Sequence, residues 1–274
     1  MVGRDQALLV GGQLNALRVS WLYFKVGVMN ELQYRVNFFV QLLQSLIQVG
    51  TALVMLSLVY SHTKSLHGWT EPQLLSLVGV QVLLGGFIHA FIQPNMQRLM
   101  EDVQQGTLDF ALTKPEDSQL LISVRMVRMW QVVEVVSGLI LLLVGLAGVS
   151  NSIGFFDAVA FGTALLVGGV LVYCFWLIMT TGAFWIVRME NVLELFEGIY
   201  QTGRWPVTVY PGWLKYSVTF LVPIGLAVTV PAEAVTSRLH WPTLLLAIAF
   251  GCALFTFTRW FWRFGLRHYS GASA

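Results

Sequence analysis

Five apolar runs, at residues 36–60, 74–92, 130–150, 158–187 and 241–264, constrain this chain more than any other feature. Each is long enough to cross the hydrocarbon core of a bilayer, which takes about 20 apolar residues as an α-helix. The run at 158–187 is longer than one crossing needs. Charged residues make up only 11% of the 274. That falls well short of the roughly 25% that covers a water-exposed surface. An all-α integral membrane protein is therefore expected. The net charge of +2 is too small to suggest a nucleic-acid partner. Cys174 and Cys252 lie inside apolar runs and read as small buried hydrophobes. The first 35 residues carry Arg4, Arg18, Lys25 and Arg35 without an uninterrupted apolar core, so no cleavable leader is expected.

Residues 1–35 have a different pattern. Leu14, Leu17, Trp21, Phe24, Val28 and Leu32 recur at helical spacing, with Asn15, Arg18 and Lys25 off the stripe. An amphipathic helix lying in the membrane interface is predicted there. Residues 36–274 form the single membrane domain. Lys and Arg gather in the N-terminal arm, in the segment after the second run (Arg98, Lys114, Arg125, Arg128) and at the C-terminus (Arg259, Arg263, Arg267). The positive-inside tendency places those three regions in the cytoplasm.

Polar residues inside the apolar runs mark faces that avoid lipid. Gln41, Gln44 and Gln48 recur at spacings of three and four, on one side of the first helix. Such a stripe belongs against protein or a water-filled route. Glu134 stands a turn into the third run, where it either lines a route or pairs with a basic residue such as Arg128. Glu190, Glu194 and Glu197 form an acidic stripe in the ambiguous stretch that follows the fourth run. Hydropathy alone makes 190–205 a cytoplasmic helix with a solvated acidic face, and makes 213–232 the fifth span. Pro206, Pro211, Pro223 and Pro231 suit short broken helices better than one clean crossing.

Segment 93–124 is polar but not of disordered composition. In NMQRLMEDVQQ (95–105), Met96, Leu99, Met100 and Val103 share one side of a predicted short helix. Gly106 follows where a left-handed helix cap is expected. TLDFALTKP comes next and ends at Pro115.

An amphipathic helix followed by GTLDFALTKP resembles the coupling segment of ABC type-2 exporter permeases, the branch related to antibiotic and multidrug export. The later run RWPVTVYPGWLKYSVTFLVPIGLAVTVPAEAV is similar to that branch's "P-x-x-x-Y-P-x-x-L … F-x-x-P … Y-x-P-A" pattern. Gln104–Gln105 stand where a basic residue is common, and Thr229-Val230 where an aromatic is usual. The resemblance implies six spans, with the fifth directly after the fourth and an outer re-entrant hairpin at 206–236 turning at Pro223. Under it, Glu190, Glu194 and Glu197 line the route or the seam between permeases. It also implies a bacterial inner-membrane exporter of a small molecule or lipid-like substrate, surrounded by membrane lipids and paired with a second permease, identical or related. Segment 93–124 would dock on a separate ATPase subunit. Met96, Leu99 and Met100 would fill a pocket there, and Glu101 and Asp102 would pair with basic residues. Gly106, Thr107, Leu108, Asp109, Lys114 and Pro115 would complete the docking element.

No G-x-x-x-x-G-K-[ST] occurs in the chain. ATP and Mg are therefore expected on the partner, with no cofactor or metal held by this chain. His62, His67, His89, His240 and His268 are scattered without metal-ligand spacing, and no G-x-S-x-G elbow is present. A channel or scaffold remains the alternative from another class, and a membrane-embedded enzyme a more distant one.

Overall fold

A computed structural model describes residues 25, 29, 35–114, 117–149, 154–185 and 192–269. The predicted N-terminal interface helix lies outside the described residues apart from Lys25 and Met29. Among them the protein is helical, without a strand beyond one isolated bridge between Leu66 and Trp69. Among the described residues, five helices are long and apolar enough to cross a bilayer: α1 (Val36–His62), α2 (Glu71–Gln104), α5 (Met129–Ala147), α6 (Phe155–Phe184) and α10 (Trp241–Leu266). Between them lie the short helices α3 (Asp109–Leu112), α4 (Ser118–Ser123), α7 (Val192–Tyr200), α8 (Gly212–Leu221) and α9 (Gly225–Val235). Together α8 and α9 are apolar enough to count as a sixth span, but they are bent by 82°. This is an all-α integral membrane protein.

Helix α2 is the axis of the bundle. Its apolar window is 72% buried, against 17% for α1 and 22% for α10, whose outer faces are left for lipid or another protein. Cys252, on α10, is one such exposed residue, contrary to its expected burial, whereas Cys174 is buried. Helices α2 and α5 approach almost to backbone contact on two glycine pairs. A Cβ on Gly79 would stand 2.4 Å from the Leu142 nitrogen, and one on Gly138 would stand 2.3 Å from the Leu83 nitrogen. Gly86 and Gly145 meet the Val135 and Ser76 nitrogens at 2.7 and 2.6 Å in the same way. Small residues permit this in membranes, where dispersion between closely packed helices replaces the hydrophobic effect.

The second apolar run does not stop at Ile92, as hydropathy predicts, but continues as helix to Gln104. Pro94 lies inside it without breaking it. The helix widens into a π segment at Ile88–Ile92, which makes room for the proline ring. The Ala90 carbonyl that Pro94 cannot bond accepts instead from the Arg128 backbone N–H at 3.0 Å. Asn95 Nδ2 donates to the Phe91 and Met126 carbonyls, and Asn95 Oδ1 accepts from the Met126 N–H. At a rise of about 1.5 Å per residue, α2 is roughly 50 Å long and outreaches the hydrocarbon core.

The two ends of the bundle differ. At one, the starts of α2 and α10 are tied together: Arg238 lies over the Trp69 ring at 4.8 Å and donates to the Gly68 carbonyl. At the other, α2 projects and folds back through α3 and α4. Gly106 adopts φ +67° as the chain leaves α2. Asp117 caps α4 through the Gln119 and Leu120 amides and pairs with Arg259 of α10. That contact, opposed by partial burial, holds the Asp117 carboxyl below the usual carboxylate range. A lowered folded value stabilises the protein above the unfolded value of about 3.9 and ceases to do so as pH falls through the folded one. Asp117→Ala is expected to cost about 1 kcal/mol, the worth of a helix cap. Thermal melts at neutral pH should show that loss, and it should shrink in melts progressively below pH 4.

Candidate functional site

A cavity of about 670 Å³ opens in the flank of the bundle between α1, α2, α5 and the segment that begins with α7. The α1 wall is the glutamine stripe, Gln41, Gln44 and Gln48, joined by Thr51. From α2 come His89 and Gln93, both placed by the π segment and the turn after it. A π turn rotates the side chains that follow it, and such turns often mark functional sites. Gln131 and Glu134 of α5 form the third wall, and Glu197, Gln201 and Arg204 the fourth.

His89 is the centre of the cavity's polar network. Its Nδ1 lies 2.8 Å from Glu134 Oε2 and its Nε2 lies 3.1 Å from Glu197 Oε2. A neutral imidazole carries one N–H, whereas imidazolium donates through both nitrogens, so two facing carboxylates suit the charged ring. Glu134 is almost wholly buried, with 3% of its side chain exposed, while Glu197 is 39% exposed. Gln201 Nε2 donates to Glu197 Oε1 at 2.7 Å, and Gln41 donates to Gln131 at 2.8 Å. Tyr200 anchors the fourth wall by donating to the Gln81 carbonyl of α2 at 2.6 Å. No group of three metal-ligating side chains stands in position to hold an ion among the described residues.

Five residues singled out in the sequence thus meet in one place: Gln41, Gln44, Gln48, Glu134 and Glu197. Glu134 pairs with His89, not Arg128, whose guanidinium donates to Gln97. Glu194 points away and is exposed, and Glu190 lies outside the described residues. His89, Gln93, Gln131 and Arg204 were not anticipated as site residues, whereas Gln201 continues the spacing of the acidic stripe.

The projecting segment corrects the expected docking surface. Met96, Leu99 and Leu108 are fully buried in this chain's own core, and Met100 is 5% exposed. Met96 Sδ accepts from Thr180 of α6, and Met100 packs with Ala183 and Val103. These side chains fasten α2 to α6 and are not free to fill a partner's pocket. Asp102 is likewise buried and turned inward, towards Arg125 at 2.9 Å, Arg98 at 3.2 Å and the Thr107 hydroxyl at 3.1 Å. What the segment presents outward is Glu101, Gln105, Lys114 and above all Phe110, 76% exposed, with Asp109 half-buried beside it. Pro115 lies outside the described residues.

A bundle of five or six apolar helices with a polar, charged cavity in its flank defines a multi-pass membrane protein whose intramembrane surface is not built for lipid alone. The sequence profile described as ABC-2 family transporter protein matches residues 46–273, from within the first span to beyond the end of the last. The chain belongs to that family. It is a membrane component of an ABC transporter, a kind of subunit that works with separate ABC ATPase subunits and is not itself the catalyst. Neither the curated proteins nor the solved structures contain a match to it.

Proposed function

We propose that this chain is the permease subunit of an ATP-driven exporter in a bacterial inner membrane, pairing with a second permease and carrying no nucleotide itself. The observation that carries the reading is the continuity of α2. One helix bears His89 and Gln93 in the cavity and, beyond them, the segment that presents Glu101 and Phe110 outside the bundle. A push on the outer segment therefore reaches the cavity through one rigid element. The basic residues Arg98, Arg125, Arg128, Arg263 and Arg267 favour that end as cytoplasmic.

The α8–α9 pair reads as a re-entrant hairpin on the opposite face. Ala227 of α9 lies against Gly168, midway along α6, while Ala234 clusters with Ala160 and Leu244 near the ends of α6 and α10. The apex falls at Val222–Ile224.

Docking through Phe110 is tested by co-purification. Removing a central aromatic anchor costs an interface about 2–4 kcal/mol. Phe110→Ala is therefore expected to reduce recovery of the ATPase subunit with tagged permease by about thirtyfold or more. Glu101→Lys should weaken recovery in a salt-dependent way. If the wild-type chain recovers no ABC ATPase, or if both variants recover it undiminished, the reading fails.

A further inference from the structure

We infer that the His89–Glu134–Glu197 cavity is a binding site for a polar organic cation, a protonated amine or guanidinium that also carries hydrogen-bonding groups. The inference deepens the exporter reading, since it names the ligand chemistry of the cavity which that reading makes part of the route. Charge argues for a cation. Among the described residues the cavity's charged groups are Glu134, Glu197, Arg204 and, when protonated, His89. With the imidazolium present they balance; without its proton the cavity is one charge negative. That proton is the replaceable positive charge, because each ring nitrogen occupies a carboxylate oxygen that an ammonium could bond equally well.

Other classes of ligand fit less well. Among the described residues the walls carry six primary amides, each donor and acceptor, and no Phe, Tyr or Trp ring to stack on a planar hydrophobe or a sugar face. An anion would meet Arg204 and an imidazolium already held by two carboxylates, and both carboxylates would stand against it. Gln201 Oε1 is buried without a partner, an acceptor left for a ligand's N–H. The volume, about 670 Å³, is in the range of drug-sized ligand sites.

The exchange balances as one cation in and one proton out. The ligand's N–H groups bond Glu134 and Glu197, while His89 becomes neutral and its proton leaves to water. His89 faces Glu134 from α5 and Glu197 and Arg204 from the 192–204 segment, and the described α1 wall, Gln41, Gln44, Ile47, Gln48 and Thr51, carries no titratable group. No other described group in the cavity supplies a competing proton. Cation binding should therefore weaken with acidification, by about tenfold per pH unit while the free site holds that proton.

The experiment uses the purified full chain in detergent without its ATPase, so that failure here is separate from failure of the exporter reading. Saturable binding of radiolabelled ethanolamine, glucosamine and methylguanidine, each a single cation with N–H donors, is measured against mannitol and citrate as competitors. At least one cation is expected to bind, displaced by the other cations but not by mannitol or citrate. Glu197→Gln, at the more exposed carboxylate, should weaken it by about tenfold or more. Glu71→Gln, at the far end of α2, should leave it unchanged. His89→Gln should flatten the pH dependence. Absence of saturable cation binding, equal displacement by mannitol or citrate, or wild-type affinity in Glu197→Gln with an unchanged melting temperature would each overturn the proposal.

Discussion

His89→Leu is expected to destabilise the protein by about 3–5 kcal/mol, the usual penalty for removing one member of a buried ion pair. The cost comes from what is left behind. Glu134 has 3% of its side chain exposed, and its described ion-pair partner is His89. Leucine would fill the space but offer that carboxylate neither charge nor N–H. Glu197, 39% exposed and held also by Gln201, can turn to water and should contribute little of the loss. Second substitutions on the His89→Leu background separate the two. Glu134→Gln on the His89→Leu background should recover most of the stability, because a neutral amide replaces the stranded charge. Glu197→Gln on the same background should recover little. Thermal or denaturant unfolding of the four chains in one detergent provides the measurement. If His89→Leu unfolds with the wild type, the network is ornamental to the fold, and its charge assignment falls with it.

The sequence showed this cavity in fragments, and the reason is geometric. Gln41, Gln44 and Gln48 were legible because helical spacing is local, so a polar stripe on an apolar helix announces a face that avoids lipid. Glu134 and Glu197 stood out as charges beside apolar runs. His89 did not, because its partners lie 45 and 108 residues away and nothing local distinguishes a histidine that bridges two helices. The docking surface was misread for a related reason. Met96, Leu99 and Met100 form a true apolar stripe, but periodicity reports that a face is buried and not what buries it. Here α6 does so, through Thr180 and Ala183. Pro94 concealed the length of α2, since a proline in a helical pattern ordinarily ends it. Here the π segment makes room for the ring and the tertiary hydrogen bond from Arg128 takes up the Ala90 carbonyl, and no local pattern predicts that bond. The acidic stripe divided in the same way: Glu197 turns into the cavity while Glu194 remains outside.

Gly138→Leu is expected to abolish recovery of folded protein. Even the single Cβ of alanine at this position would stand 2.3 Å from the Leu83 nitrogen and 2.6 Å from its Cα, and a helix backbone cannot yield as a flexible side chain can. Overpacking of a well-packed core costs about 1–3 kcal/mol where side chains can adjust. Gly138→Ala should lie at or above the top of that range, and leucine well beyond it. Gly79→Ala should behave alike, because its Cβ would meet the Leu142 nitrogen at 2.4 Å on the same seam. Gly162→Ala is the control, an α6 glycine with nothing within 4 Å of the added carbon, and it should melt with the wild type. Monodispersity in size-exclusion chromatography and melting temperature distinguish the outcomes; equal behaviour of Gly138→Ala and Gly162→Ala would refute the close seam. The seam bears on transport because it joins α2 to α5 at four glycines, Gly79, Gly86, Gly138 and Gly145. Helices in backbone contact have no side-chain layer through which to slide, so α2 and α5 are constrained to move together. His89 and Glu134 ride on that single body, whereas Glu197 belongs to the segment opposite. A force on the projecting end of α2 would therefore leave the His89–Glu134 pair intact and act on the His89–Glu197 contact, the more exposed side of the cavity.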